Sequence, residues 1–229
     1  MKYRYINGIK LHSFRCFDDL IDAAIQSKSI LVALNSDKLY YANNRLKSII
    51  NDNIGYPDGV GAVWALKRNG LNAIKLAGCE LWLKIIERFP DRTYYLIGAE
   101  QEVIDKVVDK LNVEYSINIV GHRNGFFSND GEKSVVIDDI VAKKPDFVFV
   151  AMGSPVQEYF LNDIHSRYKA PMLGLGGSFN VYSGKVKRAP KWMIKMNLET
   201  VYRYIFASVK FDRIVSDAKF CVKLIFNKL

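Results

Sequence analysis

Cysteine and histidine are scarce in this 229-residue chain, with three of each. Cys16, Cys79 and Cys221 are widely spaced and include no C-x-x-C pair, so the sequence predicts neither a disulfide framework nor a thiol-rich zinc site. The histidines show no spacing typical of metal ligands. A reducing compartment fits these shortages.

A secretion signal and a long apolar run are also missing. The first residues, MKYRYINGIKLHSF, alternate polar and apolar side chains rather than placing an apolar stretch after a basic start. No uninterrupted apolar run approaches the ~20 residues that a membrane-spanning helix needs. We therefore expect a protein that is made and kept in the cytoplasm.

The chain does have enough apolar material for one well-buried core. Hydrophobic residues make up 49% of the sequence and the mean hydropathy is -0.03, which excludes a disordered or fibrous protein. The 33 Lys and Arg residues exceed the 24 Asp and Glu residues, and the net charge is +9. This excess, concentrated from Lys185 onward, indicates an anionic partner: nucleic acid, a phosphorylated substrate or anionic lipid.

Apolar runs of strand length alternate with segments of helical periodicity. The predicted strands are Ile30–Leu34, Tyr94–Ile97, Ile117–Val120, Phe147–Ala151 and Met172–Leu175, and the predicted helices include Val103–Leu111 and Gln157–Tyr168. Ahead of them, Asn7-Gly8 supplies the positive-φ turn of a hairpin that runs from Tyr3 to Phe14. This order predicts an α/β fold, with a Rossmann-like parallel sheet covered by helices and an N-terminal β-hairpin.

Loops rich in Gly, Asn or Asp follow the predicted strands, and in a parallel sheet such loops share one edge, where ligands bind. The candidate substrate-binding residues in these loops are Asn35, Gly98, Gly125, Gly153, Gly176, Gly177, Ser178 and Asn180. One loop, GLGGS at residues 174–178, can offer backbone N–H groups to a phosphate. It matches neither G-x-G-x-x-G nor a Walker loop, so a tight turn after a strand is an equal alternative.

Asp58 carries a candidate catalytic carboxylate. YPDGVG at residues 56–61 places it on a turn just before an apolar helical stretch, Val60–Leu66. Local sequence favours a cap, in which the carboxylate accepts a hydrogen bond from the first turn of that helix. The alternative is a general base toward a substrate hydroxyl, if the substrate lies at the same sheet edge.

Six strings in one order, from the hairpin to the tail, carry a family resemblance. They are LNSDKL, YPDGVGAVWALK, GHRNGFF, VAMGSPVQEYF, GLGGSFNVYSGKVKRAP and NLETVYRY. Together they resemble the WecG/TagA/CpsF family, glycosyltransferase family 26. The resemblance implies inverting, metal-independent transfer of a hexose or N-acetylhexosamine-type sugar, such as N-acetylmannosamine or its uronate, from a UDP-sugar. The implied acceptor is an undecaprenyl-diphosphate-linked saccharide in the synthesis of cell-surface polysaccharide such as capsule, exopolysaccharide or a teichoic acid-like polymer.

The resemblance also implies roles for particular residues. It makes Asp58 the counterpart of the family's proposed base, aligns Lys75 with a pocket arginine, and aligns Gln157 with a pocket glutamine. Tail arginines thought to engage the diphosphate align with Arg203, Lys210 and Arg213. Departures of three kinds, at four positions, bear on donor or acceptor choice. Ala33 stands where many members have threonine, Asn180 where many have aspartate, and Lys75 and Lys210 replace arginines, which keeps the charge but loses the bidentate fork.

No metal or other cofactor is expected. Many nucleotide-sugar transferases hold the donor diphosphate through a metal bound by an Asp-x-Asp pair, and no two aspartates stand two apart here. Cations must then neutralise the leaving diphosphate, and Arg188 joins Lys75 and the tail cations as a candidate.

The tail predicts membrane contact. Residues 1–197 are predicted as the catalytic domain, and residues 198–229 as an appendage of basic amphipathic helices on the anionic inner face of the cell membrane. In an alternative, the tail packs on a symmetric partner in a homo-oligomer. Two further function classes are a basic protein that binds nucleic acid through the tail, and a sugar-nucleotide-binding regulator without turnover. Nucleic acid is not the expected partner, because it would leave the polar loops at the sheet edge without a purpose.

Overall fold

The computed structural model describes residues 1–196 together with Tyr202. It begins with an antiparallel hairpin of β1 (Lys2–Ile6) and β2 (Ile9–Ser13). Asn7 and Gly8 form the turn with φ of 50° and 75°, which confirms the hairpin predicted from this dipeptide.

Within the described residues, six strands form one parallel sheet in the order β4-β3-β8-β7-β5-β6. These strands are β3 (Ile30–Leu34), β4 (Ile54–Pro57), β5 (Thr93–Gly98), β6 (Asn118–Arg123), β7 (Phe147–Ala151) and β8 (Met172–Gly174). The five strands predicted from apolar runs are present, and β3 and β7 have the predicted bounds. Strand β4 was not predicted, because its four residues include Gly55 and Pro57 and have the composition of a turn.

Helices cover both faces of the sheet, as the alternating pattern predicted. They are α1 (Phe17–Ser27), α2 (Ser36–Tyr41), α3 (Asn44–Asn51), α4 (Val60–Arg68), α5 (Gly78–Arg88), α6 (Gln101–Tyr115), α7 (Asp130–Lys143), α8 (Val156–Arg167), α9 (Ser178–Tyr182) and α10 (Lys191–Lys195). Side chains of α2, α3, α4, α7, α8 and the hairpin bury one sheet face, and those of α1, α5, α6 and α9 bury the other. The Rossmann-like fold class is therefore confirmed.

The connections after β3 and β8 leave the sheet in opposite directions. These strands are neighbours, with Ile30 opposite Met172. The chain passes from β3 into α2 on one face, and from β8 into α9 on the other. A crevice opens where adjacent strands send their loops apart, and open α/β sheets bind ligands at such a point.

Among the described residues, no helix is both long enough and apolar enough to cross a membrane. The predicted appendage at residues 198–229 lies outside these residues, apart from Tyr202 in a helical conformation. The division at residue 198 and the membrane role of the tail stay predictions.

Candidate active site

Asp58 stands at the carboxyl end of β4, beside the end of β3. Its backbone N–H donates to Leu34 O at 3.0 Å, which fixes the residue at the sheet edge. Its Oδ1 accepts from the N–H of Gly78, the first residue of α5, at 2.7 Å. Amide groups at a helix N-terminus carry partial positive charge, so this contact both orients the carboxyl group and stabilises its negative charge.

The predicted cap on α4 is wrong. Gly59, not Asp58, occupies the N-cap position of α4, and no side chain caps that helix. The Asp58 side chain instead points toward α5 and accepts from the Gly78 N–H. Local sequence could not indicate this partner, because it lies 20 residues further along the chain.

Tyr56 and Gly78 form a tightly packed floor next to Asp58. Tyr56 is buried, and burial raises the pKa of its hydroxyl well above the usual value, so the group stays protonated. A Cβ on Gly78 would lie 2.9 Å from Tyr56 Oη and 3.8 Å from the Ala33 Cβ, so only glycine fits without a shift. The small side chain at Ala33, noted above as a departure, therefore belongs to this floor.

Lys75 and Arg188 both lie in segments that approach the start of α5. The half-buried Lys75 precedes Leu76, whose N–H donates to Pro57 O at 2.8 Å, one residue before Asp58. Arg188 Nη2 donates to Glu80 Oε1 in the first turn of α5 at 2.7 Å. The structure thus places the Arg188 side chain at the first turn of α5, and the backbone of Lys75 in the segment that leads into the same helix end.

Gln157, in the first turn of α8, supports the glycine-rich loop. It is 2% exposed, and its Oε1 accepts from the N–H of Gly176 at 2.8 Å. Ser178 Oγ donates to Leu175 O at 2.7 Å and the Ser178 N–H donates to the same oxygen at 3.2 Å. The Gly176 and Ser178 amides are therefore directed into the protein, whereas Gly177 is exposed at the tip of the loop.

Gly98 is the last residue of β5, and Gly125 and Gly153 lie in the loops after β6 and β7. A Cβ on Gly98 would lie 2.3 Å from Ala151 O, and one on Gly125 would lie 3.0 Å from Gly98 Cα, so close backbone packing explains both. Gly153 adopts a φ of 79° with nothing within 4 Å of its Cβ position, so it leaves open space beside the loop.

The two asparagines have structural contacts. Asn35 Oδ1 caps α2 by accepting from the Lys38 N–H at 2.9 Å, and its Cβ lies 3.4 Å from the Cβ position of Gly59. The half-buried Asn180 lies in α9, and its carbonyl accepts from the Val186 N–H at 2.9 Å. Asn35 directly follows β3 at the sheet edge, but its Oδ1 is engaged in the cap.

A buried ion pair that the sequence did not indicate lies beneath these loops. Lys38 Nζ donates to Glu158 Oε1 at 2.7 Å and to Ala33 O at 2.9 Å. Gln157 Nε2 donates to the same Glu158 oxygen at 3.1 Å. Neither partner had a signal of its own in the sequence, because Lys38 and Glu158 are 120 positions apart.

In the part of the chain that the structure describes, no three His, Cys, Asp or Glu side chains are grouped to hold a metal ion. Metal independence itself stays a prediction. The predicted site residues Arg203, Lys210 and Arg213 lie outside the described residues.

Comparisons with known proteins give one family. A model of the glycosyl transferase WecG/TagA/CpsF family matches residues 5–229. A relative from Bacillus subtilis (strain 168), named N-acetylglucosaminyldiphosphoundecaprenol N-acetyl-beta-D-mannosaminyltransferase, is 36% identical over 181 residues, which cover 76% of this chain and 69% of the relative. A solved structure of a cysteine mutant of arylmalonate decarboxylase covers 78% of this chain and 81% of its own, but its TM-score of 0.29 and 10% identity carry no argument.

Proposed function

The chain belongs to the WecG/TagA/CpsF family of glycosyl transferases, and on this premise we propose that it transfers an N-acetylhexosamine-type sugar from a UDP-sugar to an undecaprenyl-diphosphate-linked saccharide. The name of the Bacillus subtilis relative favours N-acetylmannosamine as the sugar and a lipid-diphosphate-linked N-acetylglucosamine as the acceptor. The product would enter cell-surface polysaccharide synthesis.

The orientation of Asp58 is the observation that carries this proposal. Its carboxyl group accepts the acceptor hydroxyl proton while the hydroxyl oxygen bonds to the anomeric carbon of the donor. The bond between that carbon and the UDP oxygen breaks with both electrons leaving on UDP, so attack from the opposite face inverts the anomeric centre. The Gly78 N–H supports this role, because it holds one carboxyl oxygen in a fixed direction at the crevice edge.

Cations balance the charge that develops on the leaving UDP. Lys75 and Arg188 approach the α5 N-terminus, and the tail contributes Arg203, Lys210 and Arg213 once the protein is docked on an anionic membrane surface. This arrangement replaces a metal in stabilising the diphosphate. The proposed location is the inner face of the cell membrane, with the protein bound peripherally.

Mass spectrometry of products from a UDP-sugar panel and a lipid-diphosphate N-acetylglucosamine acceptor tests the proposal. Wild-type protein should form a disaccharide, and NMR should show an anomeric configuration opposite to that of the donor. Asp58→Asn keeps an oxygen that accepts from the Gly78 N–H, so it should fold normally and lose about 10²–10⁴-fold in turnover.

The exposed Asp91→Asn is the matched control and should retain wild-type turnover. Near-full activity of a folded Asp58→Asn protein would contradict the assignment of the base. The absence of product with every donor would favour a regulator that binds sugar nucleotides without turnover.

A further inference from the structure

We propose that Glu158, held by Lys38, is a positioning residue that sets the direction of the Gln157 amide and, through it, the place of the loop at residues 174–178 in the active site. This inference rests on the proposed sugar transfer. The sequence predicted neither Glu158 nor Lys38 as a site residue, and the proposed role of both is to position other groups without contacting the substrate.

The hydrogen bonds leave the Gln157 amide only one direction. The Gly176 N–H can only donate, so the Gln157 atom facing it at 2.8 Å is the carbonyl Oε1. The opposite end is then the NH₂ group, which needs an acceptor, and Glu158 Oε1 supplies it at 3.1 Å. A negative oxygen at this position therefore defines which end of the amide supports the loop.

Lys38 keeps that oxygen in place through a 2.7 Å contact. The Glu158 side chain is 1% exposed and the Lys38 side chain 12% exposed, so each charge lies in a water-poor region. Within the described residues, the second carboxyl oxygen, Oε2, has no hydrogen-bond partner. The Lys38 ammonium is thus the cation that offsets the buried carboxylate, and loss of either partner leaves an uncompensated charge.

The pair also connects the two sides of the crevice. Lys38 donates to Ala33 O on β3, and Ala33 pairs in register with Tyr56, two residues before Asp58. On the other side, Glu158 reaches Gly176 through Gln157. One continuous chain of hydrogen bonds therefore runs from the strand beside the candidate base to the glycine-rich loop, across the point where the loops diverge. Chains of this kind hold reacting groups in place, and a misplacement of about 1 Å can cost on the order of 10²-fold in rate.

Steady-state kinetics on full-length protein test this role, with a double-mutant cycle between Glu158→Leu, which removes the accepting oxygen, and Gln157→Ala. Each single variant should lose about 10²-fold in kcat while retaining a wild-type circular dichroism spectrum. Because both changes remove the same support, the double variant should be no slower than Gln157→Ala by more than about threefold. A purely structural role of Glu158 would give multiplied effects, and that result would overturn the inference.

Two further variants complete the experiment: one replaces the buried ion pair by apolar side chains, and the other breaks an exposed ion pair as a control. Should Glu158→Leu alone fail to fold because the Lys38 charge is left buried and unpaired, the Lys38→Met/Glu158→Leu variant removes both charges, which buried sites generally tolerate in folding. It should fold and still lose about 10²-fold in kcat, and wild-type kcat would overturn the inference. The control is Asp22→Asn, which breaks the exposed 2.6 Å pair with Arg88 at the far end of α5 and should leave kcat unchanged. If wild-type protein itself makes no product, the proposed function fails; if only the Glu158 variants behave as wild type, the positioning role fails.

Discussion

A single methyl group at Gly174 should displace Gln157. Gly174 ends β8 outside the left-handed region, so alanine fits its backbone, but a Cβ would lie 2.6 Å from Gln157 Nε2 and 3.1 Å from Cδ. The buried amide cannot retreat without weakening its contacts with Gly176 and Glu158. Overpacking costs about 1–3 kcal/mol and a lost buried hydrogen bond about 1–3 kcal/mol. We expect the free energy of unfolding to fall by about 2–4 kcal/mol and kcat to fall on the order of 10²-fold.

Urea denaturation and steady-state kinetics measure both effects, with Gly177→Ala as the control in the same loop. Gly177 is exposed and nothing lies within 4 Å of its Cβ position, so this change should alter the free energy of unfolding by no more than about 0.5 kcal/mol. In a Gln157→Ala background the clash disappears, so Gly174→Ala should then cost about 1 kcal/mol or less. Additive costs, or a Gly174→Ala variant as mild as Gly177→Ala, would refute the reasoning.

Three other predictions concern pH, metals and the tail. Burial lowers the pKa of His12 from 6.5 to about 4. Between these pH values the unfolded chain binds a proton that the folded protein does not bind, so stability falls as the pH falls. We expect a loss of about 3 kcal/mol in the free energy of unfolding between pH 6.5 and pH 4. His12→Phe should flatten that part of the stability curve measured by urea denaturation, and an unchanged slope would contradict the assignment. Sugar transfer should survive EDTA, and loss of turnover that magnesium or manganese restores would show that a metal carries the diphosphate charge. Full-length protein should sediment with anionic vesicles but not neutral ones and be released by salt, whereas a chain ending before Leu198 should stay in the supernatant. Equal vesicle binding by the two chains would exclude the tail as the membrane element.

Local signals predicted most of the fold. Asn7-Gly8 defined the hairpin turn because both residues adopt positive φ, and the apolar run Phe147–Ala151 gave β7 with its observed bounds because all five residues are buried. Strand β4 was not predicted, because Gly55 and Pro57 are residues typical of a turn. Its pairing with β3, with Ala33 opposite Tyr56, makes these residues a strand.

The site was less accessible to sequence reasoning, because its contacts join distant segments. The local pattern at Asp58 favoured a cap on the next helix, yet its partner is Gly78. The ion pair of Lys38 and Glu158 joins residues 120 positions apart, and each charge on its own has the pattern of a solvated surface residue. Backbone turns can be read from a few neighbouring residues, whereas buried polar pairs require knowledge of which strands are adjacent.

The segment between α4 and α5 is fastened at both ends. The Leu71 N–H donates to Leu66 O at 3.0 Å, the Leu76 N–H donates to Pro57 O at 2.8 Å, and the Gly78 N–H holds Asp58. Between these anchors, Asn72 and Ile74 are exposed. Side chains at these two positions can therefore change with little effect on the fold, while the buried Ala73 and the anchoring hydrogen bonds keep the backbone beside Asp58 in place.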